Sequence, residues 1–262
     1  MDLDLGGRHV LVTGGSKGIG YACAQAFCSE GARVTLVARS REGLAAAVAR
    51  LEAQGFACRG VAADLADAAA AAAAVDEAER QGGPIDVLVN SAGAARRTPF
   101  DELTPQAWHD AMQAKFFTYV HVMDPLIKRM GAAGRGAIVN VVGAGGKVAG
   151  PTHLAGGSAN AALMLASAGL AAAYGPRGVR VNVVNPGLTL TDRLQEGLAA
   201  DARLQGRPAG EILQSQQQRM PLRRIATPEE IANAVVFLAS DRASYISGAI
   251  LAMDGAVSPM VV

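Results

Sequence analysis

Short β-branched runs alternate with longer stretches of helical period along this chain. Apolar runs of strand length fall at 9–13, 33–38, 57–62, 85–90, 136–142, 180–185 and 250–253. Helical spacing of apolar positions fills 18–30, 42–54, 67–81, 105–130, 153–174 and 228–239. Such alternation predicts parallel strands joined by right-handed crossovers, with helices on both faces of one sheet. The expectation is an α/β fold, a doubly wound parallel sheet of about seven strands, forming one domain over 1–262.

Two segments depart from the alternation. The interval 188–221 is polar and Gln-rich, punctuated by Gly206, Pro208 and Gly210. In a fold whose ligands bind at the carboxyl ends of the strands, it reads as a mobile lid. The interval 148–176 has no Asp, Glu, Lys or Arg. Gly156, Gly157, Ser158 and Asn160 are expected to interrupt it, leaving an apolar remainder too short to span a bilayer. It reads as a helix buried by the core or by a partner subunit.

Composition narrows the function classes. With 24 basic and 23 acidic side chains the net charge is +1, which gives no footprint for nucleic acid or an anionic membrane surface. Aromatics at 4% exclude a stacking platform for single strands. Cys23, Cys28 and Cys58 have no metal-ligand spacing and read as buried thiols; no metal site is expected. The acidic start of the chain lacks the basic region of a signal peptide, so the expected location is the cytoplasm.

The first strand runs into Thr13-Gly14-Gly15-Ser16-Lys17-Gly18-Ile19-Gly20 and then a helix. Gly14 suits the tight turn, Gly18 lets the backbone approach a pyrophosphate, and Gly20 lets helix and strand pack closely. The helix N-terminus presents unpaired N–H groups to the phosphates. Strand, turn and helix together predict a dinucleotide site in a Rossmann-type domain. A dinucleotide with a free ribose 2′-hydroxyl calls for a carboxylate at the end of the second strand. That strand ends Val37-Ala38-Arg39-Ser40, with no acid before Glu42. Arg39 suits a 2′-phosphate and Lys17 adds charge from the turn, so NADP(H) is expected in preference to NAD(H).

These motifs resemble those of the short-chain dehydrogenase/reductase family, and the similarity runs along essentially the whole chain. It includes Thr13 to Gly20, Asp64-Leu65, Asn90-Ser91-Ala92-Gly93, Ile138-Val139-Asn140, and Gly178 to Asn182. It continues through Asn185-Pro186-Gly187, Thr191, Ser247-Gly248 and Asp254-Gly255. The resemblance implies that Asp64 and Leu65 flank the adenine and that Asn90, Ala92 and Gly93 back the adenosine ribose. Pro186, Gly187, Thr189 and Thr191 would hold the nicotinamide carboxamide and pyrophosphate. It also implies a homo-oligomer, dimer or tetramer, built on the helices at 105–130 and 153–174 and on the last helix and strand.

Members of this family transfer hydride with a Tyr, a Lys, a Ser and an Asn acting together. Registered on this chain, the Ser position holds Gly143, the Tyr position Gly156, the Lys position Asn160 and the Asn position Lys115. No Tyr or Lys occurs between Pro151 and Ala173. Two readings follow. One is an NADP(H) oxidoreductase acting on an unidentified small carbonyl, alcohol or activated alkene, its proton supplied by other groups. The alternative is a non-catalytic NADP(H)-binding sensor, regulator or partner subunit. For the first, Lys115 restores an ammonium, Tyr119 shares its helix face, and His153 precedes Asn160 by the spacing that the enoyl-reductase branch uses between its Tyr and Lys. The two glycines are expected to leave room over the nicotinamide for water or a bulky substrate.

Overall fold

The computed structural model describes residues 2–93 and 95–259. Seven parallel strands form one sheet: β1 (His9–Thr13), β2 (Arg33–Ala38), β3 (Cys58–Ala62), β4 (Val87–Asn90), β5 (Gly136–Val141), β6 (Val179–Pro186) and β7 (Ile250–Met253). Their order is β3-β2-β1-β4-β5-β6-β7, so the order reverses between β1 and β4. Val12 pairs in register with Leu36 on one side and Val89 on the other. Strand residues alternate between two cores, as a period of two demands. Val10, Val12, Leu36, Val89 and Val139 pack one face with Phe27, Leu51 and Ile231. Leu11, Leu88, Ile138 and Val183 pack the other with Tyr119, Met123 and Leu163.

The helices are α1 (Gly18–Ser29), α2 (Arg41–Glu52), α3 (Ala68–Gly82), α4 (Pro105–Ala111), α5 (Thr118–Ala133), α6 (Leu154–Tyr174), α7 (Asp192–Gln205), α8 (Ala209–Arg219) and α9 (Pro228–Ala239). Three of these correct the sequence expectation. The helix expected over 105–130 is interrupted by a π-helical turn, Met112–Phe117, and ends at Ala133. The segment 188–221 is largely helical: α7 and α8 close a small core of their own from Leu194, Leu198, Ile212, Met220 and Ile225. Finally, α6 runs unbroken and uncharged for 21 residues, the helix expected over 153–174, and the expectation it corrects is that its apolar stretch is too short to span a bilayer. The stretch 154–177 is long and apolar enough to cross a membrane by length and composition alone, but half of it is buried inside the fold. Small residues allow this. A Cβ at Gly157 would stand 2.6 Å from the Gly145 carbonyl oxygen, so the loop after β5 lies directly on α6.

Cys23, Cys28 and Cys58 are free and buried, as expected. Beneath the sheet, His9 is 1% exposed. Its Nδ1 lies 2.7 Å from the Gly83 carbonyl and its Nε2 2.9 Å from the Thr35 hydroxyl. A carbonyl only accepts, so Nδ1 carries the proton and Nε2 accepts from Thr35. Burial, reinforced by the nearby Arg33 cation, lowers the imidazole pKa. Its folded pKa therefore lies below the unfolded value of about 6.5. The stability this group contributes is complete above that value and declines as the pH falls below it. In urea denaturation from pH 7.5 to 5.5, the stability gap between wild type and His9→Gln should narrow with falling pH. A constant gap would show that His9 does not titrate on unfolding.

Candidate functional site

The strands end at a cleft of about 1480 Å³ that extends from α1 to α7. Its cradle is set by close approaches. Gly14 takes φ +68, and a Cβ there would lie 2.8 Å from the backbone of Ala92. A Cβ at Gly20 would overlap the Gly14 carbonyl, so the turn can sit on α1 only with glycine at both positions. α1 then starts at Gly18 with no side chain capping it, so its first N–H groups are free for an anion. Ser16, Lys17, Gly18 and Ile19 line this wall; Ala92, Gly93, Pro186, Gly187, Thr189 and Thr191 line the facing side. The cradle fits a pyrophosphate.

At the far rim Arg39 is exposed and, among the described residues, has no ion-pair partner. Ser40 lies beside it, but its hydroxyl caps α2 by accepting from Gly43 N–H at 3.0 Å. Asp64 and Leu65 line the cleft next to Arg39. Arg50 joins this rim, stacked 4.2 Å from the Tyr21 ring and donating to the Ser16 carbonyl at 3.2 Å. Lys17 faces Asp192 at 3.4 Å, an exposed pair of little energetic weight. The rim carries the charge that a 2′-phosphate needs.

Two residues expected at the cofactor do not face the cleft. Asn90 is fully buried, accepting from Thr13 Oγ1 at 3.2 Å and donating to Asn140 Oδ1 at 3.0 Å. Gly20 faces Gly14 instead of the ligand space. Both act by shaping the turns above them.

The opposite end of the cleft gathers titratable groups. Lys115 sits in the π-helical turn, a geometry that recurs at functional sites because it re-aims side chains. The turn is fixed from outside: Gly93, at φ +77, lies so close that a Cβ would overlap the Ala114 carbonyl and stand 2.7 Å from Thr118 Oγ1. Lys115 Nζ donates to the Tyr119 hydroxyl at 2.6 Å and to the Val141 carbonyl at 3.2 Å. Tyr119, 0% exposed, donates to the same carbonyl at 2.6 Å. Burial, with Arg193 nearby, lowers the lysine pKa to about 7. Burial also pushes the Tyr119 phenol up, so that group stays neutral.

Gly143 and Gly156 both line the cleft, each with a polar side chain close by. A Cβ at Gly156 would stand 2.8 Å from His153 Nδ1, so the imidazole already occupies the volume a side chain there would take. A Cβ at Gly143 would meet Asn160 Nδ2 at 3.3 Å. His153 is held to a pKa of about 4 by burial and then by Arg97, Arg193 and Lys115. His153 Nδ1, Asn160 Oδ1 and Gln216 Oε1 are the buried side-chain polar atoms without a partner among the described residues, and all three residues line this cleft.

Sequence reasoning missed Arg50, Arg97, Arg193, Asp201 and Gln216. The pair Arg96-Arg97, three and four residues after Gly93, was a visible signal; the others come from helices whose packing the sequence does not fix.

A doubly wound sheet with this cradle defines a dinucleotide-binding α/β protein. Residues 14–258 match the family model described as Enoyl-(Acyl carrier protein) reductase. The chain is 41% identical over 254 residues to D-threitol dehydrogenase of Mycolicibacterium smegmatis, covering 97% of this chain and 94% of that protein. Among solved structures it is similar to L-sorbose reductase of Gluconobacter frateurii complexed with NADPH and L-sorbose, at 32% identity and a TM-score of 0.91 over 100% of both chains. It is also similar to gluconate 5-dehydrogenase of Burkholderia cenocepacia in complex with NADP and tartrate, at 30% identity and a TM-score of 0.89, covering 99% of this chain and 98% of that one. The chain belongs to the short-chain dehydrogenase/reductase family of oxidoreductases.

If Arg39 reads the 2′-phosphate, Arg39→Ala should weaken NADPH binding about 10- to 100-fold and leave NADH binding nearly unchanged. Fluorescence titration of both cofactors measures the ratio. An unchanged ratio removes Arg39 from the discrimination.

Proposed function

We propose that this protein is an NADP(H)-dependent oxidoreductase that interconverts a secondary alcohol and a ketone on a small polyhydroxylated substrate, with Lys115 as its acid/base group. The observation that carries this reading is the Lys115 amine, sunk onto Tyr119 and Val141 at the end of the cleft and poised near pH 7. Relatives named for threitol, gluconate and sorbose support the substrate class.

NADP(H), when bound, supplies or accepts the hydride. The Gly14–Gly20 turn and α1 hold its phosphates, and Arg39 with Lys17 its ribose phosphate. Lys115 lines the cleft and exchanges a proton with the substrate oxygen at Nζ. Tyr119 and the Val141 carbonyl fix that amine and do not titrate with it. His153 stays neutral at pH 7, its pKa held to about 4, and offers Nδ1 to a substrate hydroxyl. α7 and α8 close the site as a lid.

A second reading has its own support. Gly143, Gly156 and Asn160 stand where the family uses Ser, Tyr and Lys, which fits a chain that binds NADP(H) without turning over. Assembly into a homo-oligomer, in the cytoplasm, completes either reading. Exposed Trp108, Phe117, Leu165, Tyr245 and Leu251 offer apolar contacts on α4, the π-helical turn, α6, the loop before β7 and β7 itself.

Assays of NADPH oxidation with ketoses and NADP reduction with polyols test the proposal. Lys115→Met should lower kcat/KM about 10²-fold or more, with NADPH affinity retained. A base with a pKa of about 7 is protonated below that pH. Ketone reduction should therefore decline above pH 7 and alcohol oxidation should rise through it, and both inflections should vanish in the variant. Wild-type rates in Lys115→Met would reject Lys115. Tight NADPH binding with no turnover of any acceptor would favour the second reading.

A further inference from the structure

We propose that the substrate carries a carboxylate, held by Arg97 with Arg193 beside it, so that the preferred substrate is a polyhydroxy acid and not a neutral polyol. This rests on the oxidoreductase reading of the cleft and names the chemistry its substrate end recognises.

Arg97 is half-buried in the cleft wall, and its guanidinium is pinned by α7: a Cβ at Gly197 would stand 3.0 Å from Nε and 3.2 Å from Cζ. Among the described residues no acid lies within 4.0 Å of it, and it donates no hydrogen bond. The same fold shows how it treats a partly buried guanidinium with a structural role. Arg180 donates to the carbonyls of Leu238, Ile246, Ala239 and Ser240. Arg97 has no such partners and faces ligand space. A desolvated guanidinium without an acceptor is costly, and a bidentate carboxylate is the group its fork fits best.

The surroundings add positive charge. Arg193, in the first turn of α7, spans from Glu196 at 2.5 Å to the Ala95 carbonyl. Arg97, Arg193 and Lys115 all act on His153, and their field helps to keep that imidazole neutral. Asp201 is the nearest counter-charge to Arg97, but its two oxygens accept from Thr152 Oγ1 at 2.7 Å and Gln216 Nε2 at 3.3 Å. Asp201 thus ties α7 to α8 and to the loop before α6; its charge offsets part of the cost of burying Arg97, but among the described residues it makes no ion pair with the guanidinium within 4.0 Å.

The unpartnered atoms supply the rest of the substrate's description. Asn160 Oδ1 and Gln216 Oε1 only accept, so they call for hydroxyl donors and repel a carboxylate. Asn160 is 4% exposed, so its amide is an interior group whose oxygen lacks a partner among the described residues. An anion at Arg97 and hydroxyls at Asn160 and Gln216 describe a polyhydroxy acid.

The test uses the NADP-saturated protein and matched probes: D-gluconate against D-sorbitol, and tartrate against threitol, with sorbitol 6-phosphate as the phosphate arm. Calorimetry and thermal shift report binding independently of turnover. Each acid should bind at least about 10-fold tighter than its neutral counterpart. Arg97→Met should bring that ratio close to one by raising the acid's Kd and KM, and Arg97→Lys should restore part of it. Melting of both variants checks folding. Equal binding of acid and neutral probes, or an unchanged ratio in Arg97→Met, overturns the proposal. Tight binding of sorbitol 6-phosphate without gluconate or tartrate also overturns it, assigning the subsite to phosphate. Acid binding without turnover supports this subsite while the redox reading fails; turnover of polyols without acid preference does the reverse.

Discussion

A file of buried polar groups runs across the sheet where the strands end, and the site above depends on it. Thr13 donates to Asn90, Asn90 to Asn140, Asn140 to Ser167, and Ser167 to the Leu163 carbonyl. Each donor finds an acceptor, which is the condition for placing amides in a core at all. The file ties β1, β4, β5 and α6 at one level. The backbone N–H groups of Ser91 and Ala92 also donate to Thr13 Oγ1, so the turn after β4 is bolted to the end of β1. Gly14 then touches Ala92, and Gly93 touches the turn that carries Lys115. Phosphate cradle and lysine are thereby placed by one set of contacts.

The parts of this arrangement legible in the sequence are those set by local rules. Strands alternate, helices repeat at 3.6 residues, and the strand–glycine–helix junction announces its ligand. α7 and α8 were hidden because few apolar positions, among them Leu194, Leu198 and Ile212, face a core too small to impose a strong stripe. The π-helical turn leaves no mark on Met112–Phe117; it answers to Gly93 on another loop. Arg97 was visible beside Arg96, but only tertiary structure distinguishes the half-buried arginine from its exposed neighbour.

Buried side-chain atoms without a partner, among the described residues, are concentrated in one wall of the molecule. Elsewhere buried polar groups are satisfied: Asn182 donates to Ile246 O and accepts from Ala249 N–H, and Asn185 donates to Val142 O. In the cleft, by contrast, three side-chain atoms lack partners among the described residues, beside a lysine and a histidine held below their ordinary pKa values. A core that solves this problem well in most places and poorly in one is marking where a ligand completes it.

The same wall shows how glycine at 143 and 156 fits its neighbours. Glycine in a packed interior leaves a cavity unless neighbouring side chains fill the space. Here the imidazole of His153 stands against Gly156 and Gly145, and the carboxamide of Asn160 against Gly143. The loop after β5 and the start of α6 have closed on each other around these two polar groups. Glycine at 156 and histidine at 153 are therefore one packing solution: a side chain at 156 would displace the imidazole, and losing the imidazole would open the space that glycine leaves. Asn160 and Gly143 are related in the same way. The four positions form a unit, so their effects on binding and turnover should combine non-additively, as effects do for residues in direct contact.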